Sequence, residues 1–458
     1  MNPMATRPEP AHDAPQAWYR SRFGLCERSL NGGAAADVHA MRREALERFA
    51  AAGFPPADHE EWRFTNIDPI VRGRFVPVLR GELRPADAGA VGRHFLPGVT
   101  SARLVFVDGH YHPGLSSPTH MPRGIRVGSL AAMLAAEPEL LRPHLGLLAG
   151  GADDPFTALG TAFLQDGAVV LVPDRLALDL PVHILFVSTG APDPFMTTPR
   201  NLVVLGKGAR AAIVESYVHL ARNVYFTNAV TEVTVGEDAV LEMDKVQLES
   251  ESAFHVGSLL VRLEARSTFT ANSVSLGGAI VRNNAAAVLG GGNAECTLNG
   301  LSLATGQQLV DNHTTIDHAH PDCASHELYK CILDGRARGV FNGKIFVRKD
   351  AQKTDAKQTN KTLLLSDDAT IDTKPQLEIF ADDVKCTHGA TVGQLDETAV
   401  FYLRSRGIGL VAARDMLTNA FASDITNRIK IAPLRGQLDT LIHARLHEGR
   451  LSEGDAAA

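Results

Sequence analysis

Turn signals recur along the middle of this 458-residue chain at intervals of 13 to 17 residues. They stand at Gly236, Ser250, Ala265, Gly278, Gly291, Gly306, Pro321, Gly335, Asp350 and Asp367. Between them lie short segments of alternating apolar and polar residues, which is the pattern of half-buried strands. An interval this short leaves no room for a crossover helix, and this excludes a doubly wound α/β sheet. The period is compatible with an up-and-down antiparallel sheet but favours a parallel β-helix, in which each coil takes two intervals, about 28 residues.

Helical patterns flank this β region on both sides. We predict a mobile tail at 1–15, an N-terminal helical domain at 16–98, a β-helix core at 99–393 with a helical insertion at about 129–165, and a C-terminal helical domain at 394–458. The aromatic cluster around Trp62 is predicted to dock the N-terminal helices on the body. The expected fold is therefore mainly β, with helices at both ends.

Composition excludes several classes of protein. The formal net charge of −7 argues against a nucleic-acid-binding protein. No apolar run reaches the 18 residues of a membrane span, and the N-terminus has no apolar segment typical of a signal peptide. The five cysteines are odd in number and widely scattered, which fits reduced thiols in a cytosol better than a disulfide framework. We therefore expect a cytoplasmic protein.

Cys386 and His388 stand two residues apart, just before the β pattern ends. In a strand, residues i and i+2 point to the same face, so the thiol and the imidazole would project together. This pair suits a thiophilic metal such as iron, copper or zinc. Two ligands cannot close a metal site, so a partner surface would have to supply the others. The alternative is a packed, hydrogen-bonded pair at the end of the solenoid.

Residues 311–326 hold four histidines, three aspartates and a cysteine, which raises the possibility of a self-sufficient metalloprotein. The spacing matches neither an HExxH helix nor a CxxC knuckle. A strand would also divide these residues between its two faces. A dedicated metal site is therefore not favoured here.

The sequence gives weaker support to enzymatic functions. Asp367, Asp368, Asp372 and Glu378 could serve a cytosolic β-helix enzyme acting on carbohydrates, although such carboxylates are more often solvated turn residues. The glycine–lysine pairs at 206–207 and 343–344 lack the remaining residues of a P-loop, so no nucleotide is expected on this chain.

Longer motifs occupy residues 316–379. They are Ile316–Pro321, Leu328–Lys330, Gly339–Ile345, Ala351–Ala356, Gln358–Asn360, Leu363–Ser366, Thr373–Pro375 and Leu377–Ile379. These runs resemble the SufB/SufD family of iron–sulfur cluster assembly proteins, and looser likeness extends over most of the chain. The runs Glu61–Thr65, Cys386–Thr391 and Phe401–Ile408 resemble the SufD branch of that family rather than the SufB branch.

The resemblance implies a right-handed parallel β-helix with helical domains at both ends, acting as a non-enzymatic scaffold. Its implied partners are a SufB-like subunit and a SufC-like ABC ATPase. His388, with Cys386 nearby, would help to hold a nascent iron–sulfur cluster shared with the SufB-like subunit. The C-terminal helices would dock the ATPase through Phe401, Tyr402, Arg404, Arg406, Arg414 and Phe421. The edge of a β-helix would also permit a homodimer.

Overall fold

The computed structural model describes residues 15–30, 36–79, 85–96, 98, 100, 102–117, 121–152, 154–191 and 193–454. The chain is mainly β: a parallel β-solenoid with helices on its N-terminal and C-terminal sides, which confirms the predicted fold class. The tail predicted for residues 1–15 lies outside the described residues, except for Pro15.

Ten helices are described. They are α1 (Pro15–Ser29), α2 (Ala36–Ala52), α3 (Asp68–Arg72), α4 (Ala88–Gly92), α5 (Leu130–Ala136), α6 (Pro138–Leu141), α7 (Pro155–Ala162), α8 (Glu397–Ser405), α9 (Leu410–Thr426) and α10 (Ala432–Gly454), with 3-10 turns at Glu60–Trp62 and Ala149–Gly151. In the part of the chain that the structure describes, no helix is long and apolar enough to cross a bilayer.

The strands form two large sheets. They are β1 (Val76–Pro77), β2 (Ala102–Val107), β3 (His110–Tyr111), β4 (Arg126–Ser129), β5 (Ala168–Val172), β6 (Val182–Ser188), β7 (Phe195–Thr197), β8 (Arg200–Leu205), β9 (Arg210–His219), β10 (Tyr225–Val235), β11 (Val240–Leu248), β12 (Phe254–Leu263), β13 (Thr268–Ser275), β14 (Ile280–Leu289), β15 (Glu295–Ala304), β16 (Leu309–His318), β17 (Ala324–Leu333), β18 (Arg338–Val347), β19 (Asp355–Leu364), β20 (Thr370–Ile379) and β21 (Lys385–Gly393).

From β8 onward, successive strands alternate between the two sheets. Sheet A runs from β4 and β5 through the even-numbered strands β8 to β20, and sheet B runs from β3 and β2 through β6 and the odd-numbered strands β9 to β21. Within each sheet the ladders from β8 and β9 onward are parallel. Val240 pairs with Thr268 and Thr268 with Glu295, so one coil takes 28 and then 27 residues. The predicted coil length is confirmed.

One corner of the solenoid has a left-handed residue in five successive coils. Asp238, Arg266, Asn293, Asp322 and Lys353 have φ between 56° and 64°. Short polar residues tolerate this conformation better than branched ones, which is why the corners are rich in Asp and Asn. These corners are the physical origin of the period seen in the sequence.

The space between the two sheets, here called the lumen, is filled by side chains. In its first coils these are apolar: Phe186 stacks on Phe106 and on Tyr217, with ring centroids 5.0 and 4.9 Å apart. Such a buried aromatic stack contributes both apolar burial and favourable ring contacts.

The helices cover the outer faces of the sheets. Trp62 is buried against Phe156 of α7, whose ring lies 6.1 Å from Phe226 on sheet A. This confirms that the aromatic cluster docks the N-terminal unit. On the other side, Leu438 and Ile442 of α10 are buried in the cluster that covers sheet B. The apolar stripes of the C-terminal helices therefore cover the chain's own body in large part.

Candidate functional site

Cys386 and His388 lie on β21, the last strand of sheet B. The register aligns Cys386 with Ala356, Ser325 and the buried core residue Cys296. It aligns His388 in the same way with Gln358, Glu327 and Leu298. Because Cys296 and Leu298 line the lumen, both site residues stand on the lumen side of the last coil.

The lumen is open at this end. β20 and β21 are the last strands of their sheets, so the outer edge of each has no pairing strand among the described residues. His388 is exposed and Cys386 half-buried. The same last coil carries exposed apolar side chains: Phe380 is 60% exposed, and Ile379 and Val392 are exposed as well. Unpaired edges beside exposed apolar side chains are typical of a protein interface.

The Cys386 side chain has an environment that favours the thiol. It packs against the small cluster that includes Ile345 and Ala356. Burial raises its pKa, a backbone hydrogen bond at Ala356 opposes this, and the Asp355 carboxylate raises the pKa further. Metal ligation requires the thiolate, so a nearby metal would have to drive loss of the proton.

The C-terminal helices present a second exposed surface. Phe401 of α8 is 71% exposed, Tyr402 and Arg404 are exposed on the same helix, and Arg406 is exposed at its C-cap. The Arg406 guanidinium lies 5.1 Å from the centre of the Tyr402 ring. At the start of α9 the structure adds exposed apolar residues that sequence reasoning missed: Leu410, Val411 and Met416.

The remaining two residues predicted for this surface are less exposed. Arg414 is half-buried. Phe421 is also half-buried and packs with the cluster that covers sheet B, where the Lys330 ammonium lies 3.9 Å from its ring centre. Its described contacts are therefore with the chain's own body.

The histidines of residues 311–326 are divided between two faces. His313 lies outside the lumen, with Nδ1 3.2 Å from Glu61 Oε2 and Nε2 3.1 Å from Asp311 Oδ1. His318 lies inside, with Nε2 2.9 Å from the Ser325 hydroxyl. Nowhere among the described residues do three His, Cys, Asp or Glu side chains form a group that could hold a metal ion.

The carboxylates considered for glycan chemistry do not converge. Asp372 pairs with Arg338 at 2.8 Å, and Glu378 pairs with Lys344 at 2.6 Å. Asp367 and Asp368 are exposed in the turn between β19 and β20. Nothing in this arrangement places two carboxyl groups across a substrate cleft.

Sequence reasoning also missed the polar residues behind the last coil. Glu327 and Gln358 are 3% and 1% exposed, and both belong to the lumen column that ends at His388. The sequence does show polar residues at these positions of the strands. That the positions face inward is shown only by the register between strands.

Comparison with known proteins agrees with this geometry. The family model of the SufBD core domain of the SUF iron–sulfur cluster assembly system matches residues 186–421, and that of the SufBD N-terminal region matches residues 14–184. The iron–sulfur cluster assembly protein SufD of Escherichia coli is 33% identical over 89% of this chain and 93% of its own length. An iron–sulfur cluster assembly SufBD family protein of Synechocystis is 36% identical over 88% of this chain and 90% of its own length. The chain therefore belongs to the SufBD family of iron–sulfur cluster assembly proteins and is SufD-like within it.

Proposed function

We propose that this chain is a non-catalytic scaffold subunit of a SufBCD-type complex. The observation that carries the proposal is the position of Cys386 and His388 on the lumen side of a terminal strand whose outer edge is open. The iron–sulfur cluster is cargo here: it is assembled at this end and then passed on.

The chemistry of the pair fits a transient site. Iron accepts thiolate and imidazole together, and the two side chains leave further coordination positions to another subunit. A site completed only by a partner releases its cargo more readily than a closed four-ligand cage would. The exposed Phe380 and Val392 of the same last coil favour a SufB-like subunit docked end to end on this solenoid. The same edge would allow a homodimer when that subunit is missing.

Nucleotide hydrolysis would belong to a separate subunit, because this chain carries no P-loop sequence. The exposed surface of α8 and the start of α9 combines Phe401, Tyr402 and Met416 with Arg404 and Arg406. Apolar anchors with adjacent arginines are characteristic of protein interfaces. We assign this surface to a SufC-like ABC ATPase and the assembled complex to the cytoplasm.

Co-expression with a SufB-like protein and an ABC-type ATPase tests the proposal. We expect the three chains to purify together and to form clusters from ferrous iron and a sulfur donor. His388→Ala is expected to reduce cluster formation at least tenfold without dissociating the complex. His326→Ala is the matched control, since His326 is an exposed histidine on the outer side of β17. Normal cluster yield from His388→Ala, or failure of the chains to associate, would overturn the assignment.

A further inference from the structure

Among the described residues, three glutamates line the lumen, and Glu327 alone of these three has no basic side chain opposite it. Glu249 pairs with His255 at 2.7 Å. Glu215 lies opposite Lys245 in the β9–β11 register; burial raises the pKa of Glu215, and the Lys245 charge offsets part of this increase. Glu327 has no ion pair with any basic side chain among the described residues. It accepts a hydrogen bond from Gln358 Nε2 at 2.6 Å, and its other oxygen, Oε1, has no hydrogen-bond partner among the described residues.

Further oxygen atoms without a hydrogen-bond partner lie on the strand next to this carboxyl group. Gln358 Oε1, Asn360 Oδ1 and Thr362 Oγ1 have no hydrogen-bond partner within the described part of the chain, and each of these residues is at most 3% exposed. They are three successive inward residues of β19, the strand next to that of Glu327. Buried oxygens of this kind are costly unless water or an ion satisfies them.

The facing strand of sheet A and the neighbouring aromatic rings bound this polar region. Gly343 faces Gln358 from sheet A, and a Cβ atom there would stand 2.3 Å from Gln358 Nε2. On the inner side, the Tyr329 ring lies over Gly300 and packs on Phe341 at 5.1 Å. This aromatic pair separates the polar region from the inner lumen. On the outer side, the column from Glu327 through Gln358 ends at His388.

We propose that this polar part of the lumen binds one hydrated divalent cation, with the Glu327 carboxylate as its anionic ligand. Carboxylate and amide oxygens are the donors preferred by hard and borderline cations such as Mg²⁺, Mn²⁺ and Fe²⁺. Gln358 Oε1 and Asn360 Oδ1 would bind the ion or accept hydrogen bonds from its water molecules. The uncompensated carboxyl group favours a cation over water alone, because water leaves the buried charge unbalanced.

The identity of the ion rests on the proposed function: in a cluster assembly subunit we infer ferrous iron. Glu327 and His388 are two strands apart in one sheet, and neighbouring strands are spaced by about 4.8 Å, which gives about 10 Å between them. An ion held at Glu327 would therefore lie close behind the site where the cluster forms. Burial raises the pKa of Glu327 to about 7, against the effect of its hydrogen bond from Gln358, and a bound cation would stabilise the ionised form.

The test uses Mn²⁺ as an air-stable probe on the isolated full-length chain at pH 8. Electron paramagnetic resonance is expected to show one bound Mn²⁺ per chain, which Fe²⁺ added anaerobically displaces. Glu327→Gln should weaken Mn²⁺ binding at least tenfold. Glu215→Gln is the matched control, a buried lumen glutamate that already faces a lysine, and it should bind Mn²⁺ like the unchanged chain. Gln358→Met provides a second variant, expected to weaken binding at least threefold.

Absence of bound Mn²⁺, or equal binding by Glu327→Gln, would overturn the proposal and leave only ordered water in this part of the lumen. His388→Ala should retain Mn²⁺, because the imidazole is not a ligand of this ion. Since no partner and no cluster enters the measurement, its failure is distinguishable from failure of the scaffold proposal. If Glu327→Gln does not fold, Gln358→Met decides the outcome.

Discussion

The ammonium group of Lys330 on β17 donates a hydrogen bond to the main-chain oxygen of Phe421 in α9, at 2.8 Å, and also pairs with the Asp424 carboxylate. The Lys330 side chain is 2% exposed, whereas that of Asp424 is 58% exposed. A charge that is nearly buried therefore fastens α9 to sheet B. In this way the helix that carries part of the proposed ATPase surface is joined to a strand two places from β21.

Lys330→Met should loosen this attachment. Methionine keeps most of the buried chain but can neither donate to the Phe421 oxygen nor pair with Asp424, so we expect unfolding to require about 1–3 kcal/mol less free energy. Denaturant unfolding measures the loss, and hydrogen exchange should show faster exchange of the α9 amides. Lys361→Met, on the adjacent β19 but exposed, is the control and should change neither. Unchanged α9 exchange in Lys330→Met would contradict the role assigned to Lys330.

A second buried charge fastens the N-terminal turn to sheet A. Asp311 pairs with Arg282 at 2.5 Å, and Arg282 donates to the main-chain oxygen of Glu61 at 2.8 Å. Burial by itself would raise the pKa of Asp311, but Arg282, His313 and Thr65 together lower it to about 2. Asp311→Asn leaves the guanidinium buried without its counter-charge, so we expect a loss of about 3–5 kcal/mol at pH 7.

The pH dependence of this loss has a definite sign. An unfolded aspartate titrates near pH 4, and the folded one near pH 2. The stabilisation from the ionised carboxylate is therefore complete above about pH 4 and disappears as the pH falls toward 2. Denaturant unfolding at pH 7 and pH 3 should show the difference between the unchanged chain and Asp311→Asn narrowing at the lower pH. Asp372→Asn, which breaks an exposed pair, should cost less than about 1 kcal/mol at either pH.

The sequence predicts the solenoid but not the orientation of its site. The turn period is a local property, since each corner needs its own left-handed or small residue, and it is therefore readable from the chain. The spacing of Cys386 and His388 shows that they share a face. Whether that face points into the lumen or outward depends on the register with Cys296, which is fixed only when strands of different coils pair.

The contacts of the buried charged residues could not be predicted from the sequence either. Lys330 stands in a recognisable motif, yet its partner in α9 lies 91 residues further on. Thr65 and Asp311 are separated by 246 residues. No local pattern encodes such contacts, because they arise when helices dock on a sheet built from distant coils. The fold was accordingly predictable, whereas the groups that fix the helices to it were not.

Glu327→Gln should change the pH dependence of stability. The pKa of Glu327 is about 7 in the folded chain, above its ordinary value of 4.5. Below pH 4.5 the carboxyl is protonated in both states. Between pH 4.5 and 7 the unfolded chain ionises first, and folding stability falls by about 3 kcal/mol, at about 1.4 kcal/mol for each pKa unit. Glutamine does not ionise, so the variant should gain about this much relative to the unchanged chain between pH 4.5 and pH 8.

Denaturant midpoints in the presence of a chelator measure this gain. Asp244, whose pKa burial also raises to about 7, titrates in both proteins and cancels from the comparison. A difference between the two proteins that stays constant from pH 4.5 to 8 would show that Glu327 is not perturbed. Saturating Mn²⁺ at pH 8 should reduce the gain, because the cation stabilises only the chain that keeps the carboxylate.

The two proposed protein interfaces lie on different elements and should fail independently. Val392→Lys places a charge beside the open edge of β21, and charged side chains there oppose strand pairing. It should reduce recovery of a SufB-like partner at least tenfold while the ABC-type ATPase is still recovered.

Phe401→Glu removes the most exposed aromatic residue of α8. It should reduce recovery of the ABC-type ATPase while the SufB-like partner is still recovered. Leu147→Lys is the control, since Leu147 is an exposed apolar residue of the helical insertion and should alter neither recovery. Pull-down from a three-chain co-expression distinguishes these results: two variants that each lose both partners would show that the surfaces are not separate.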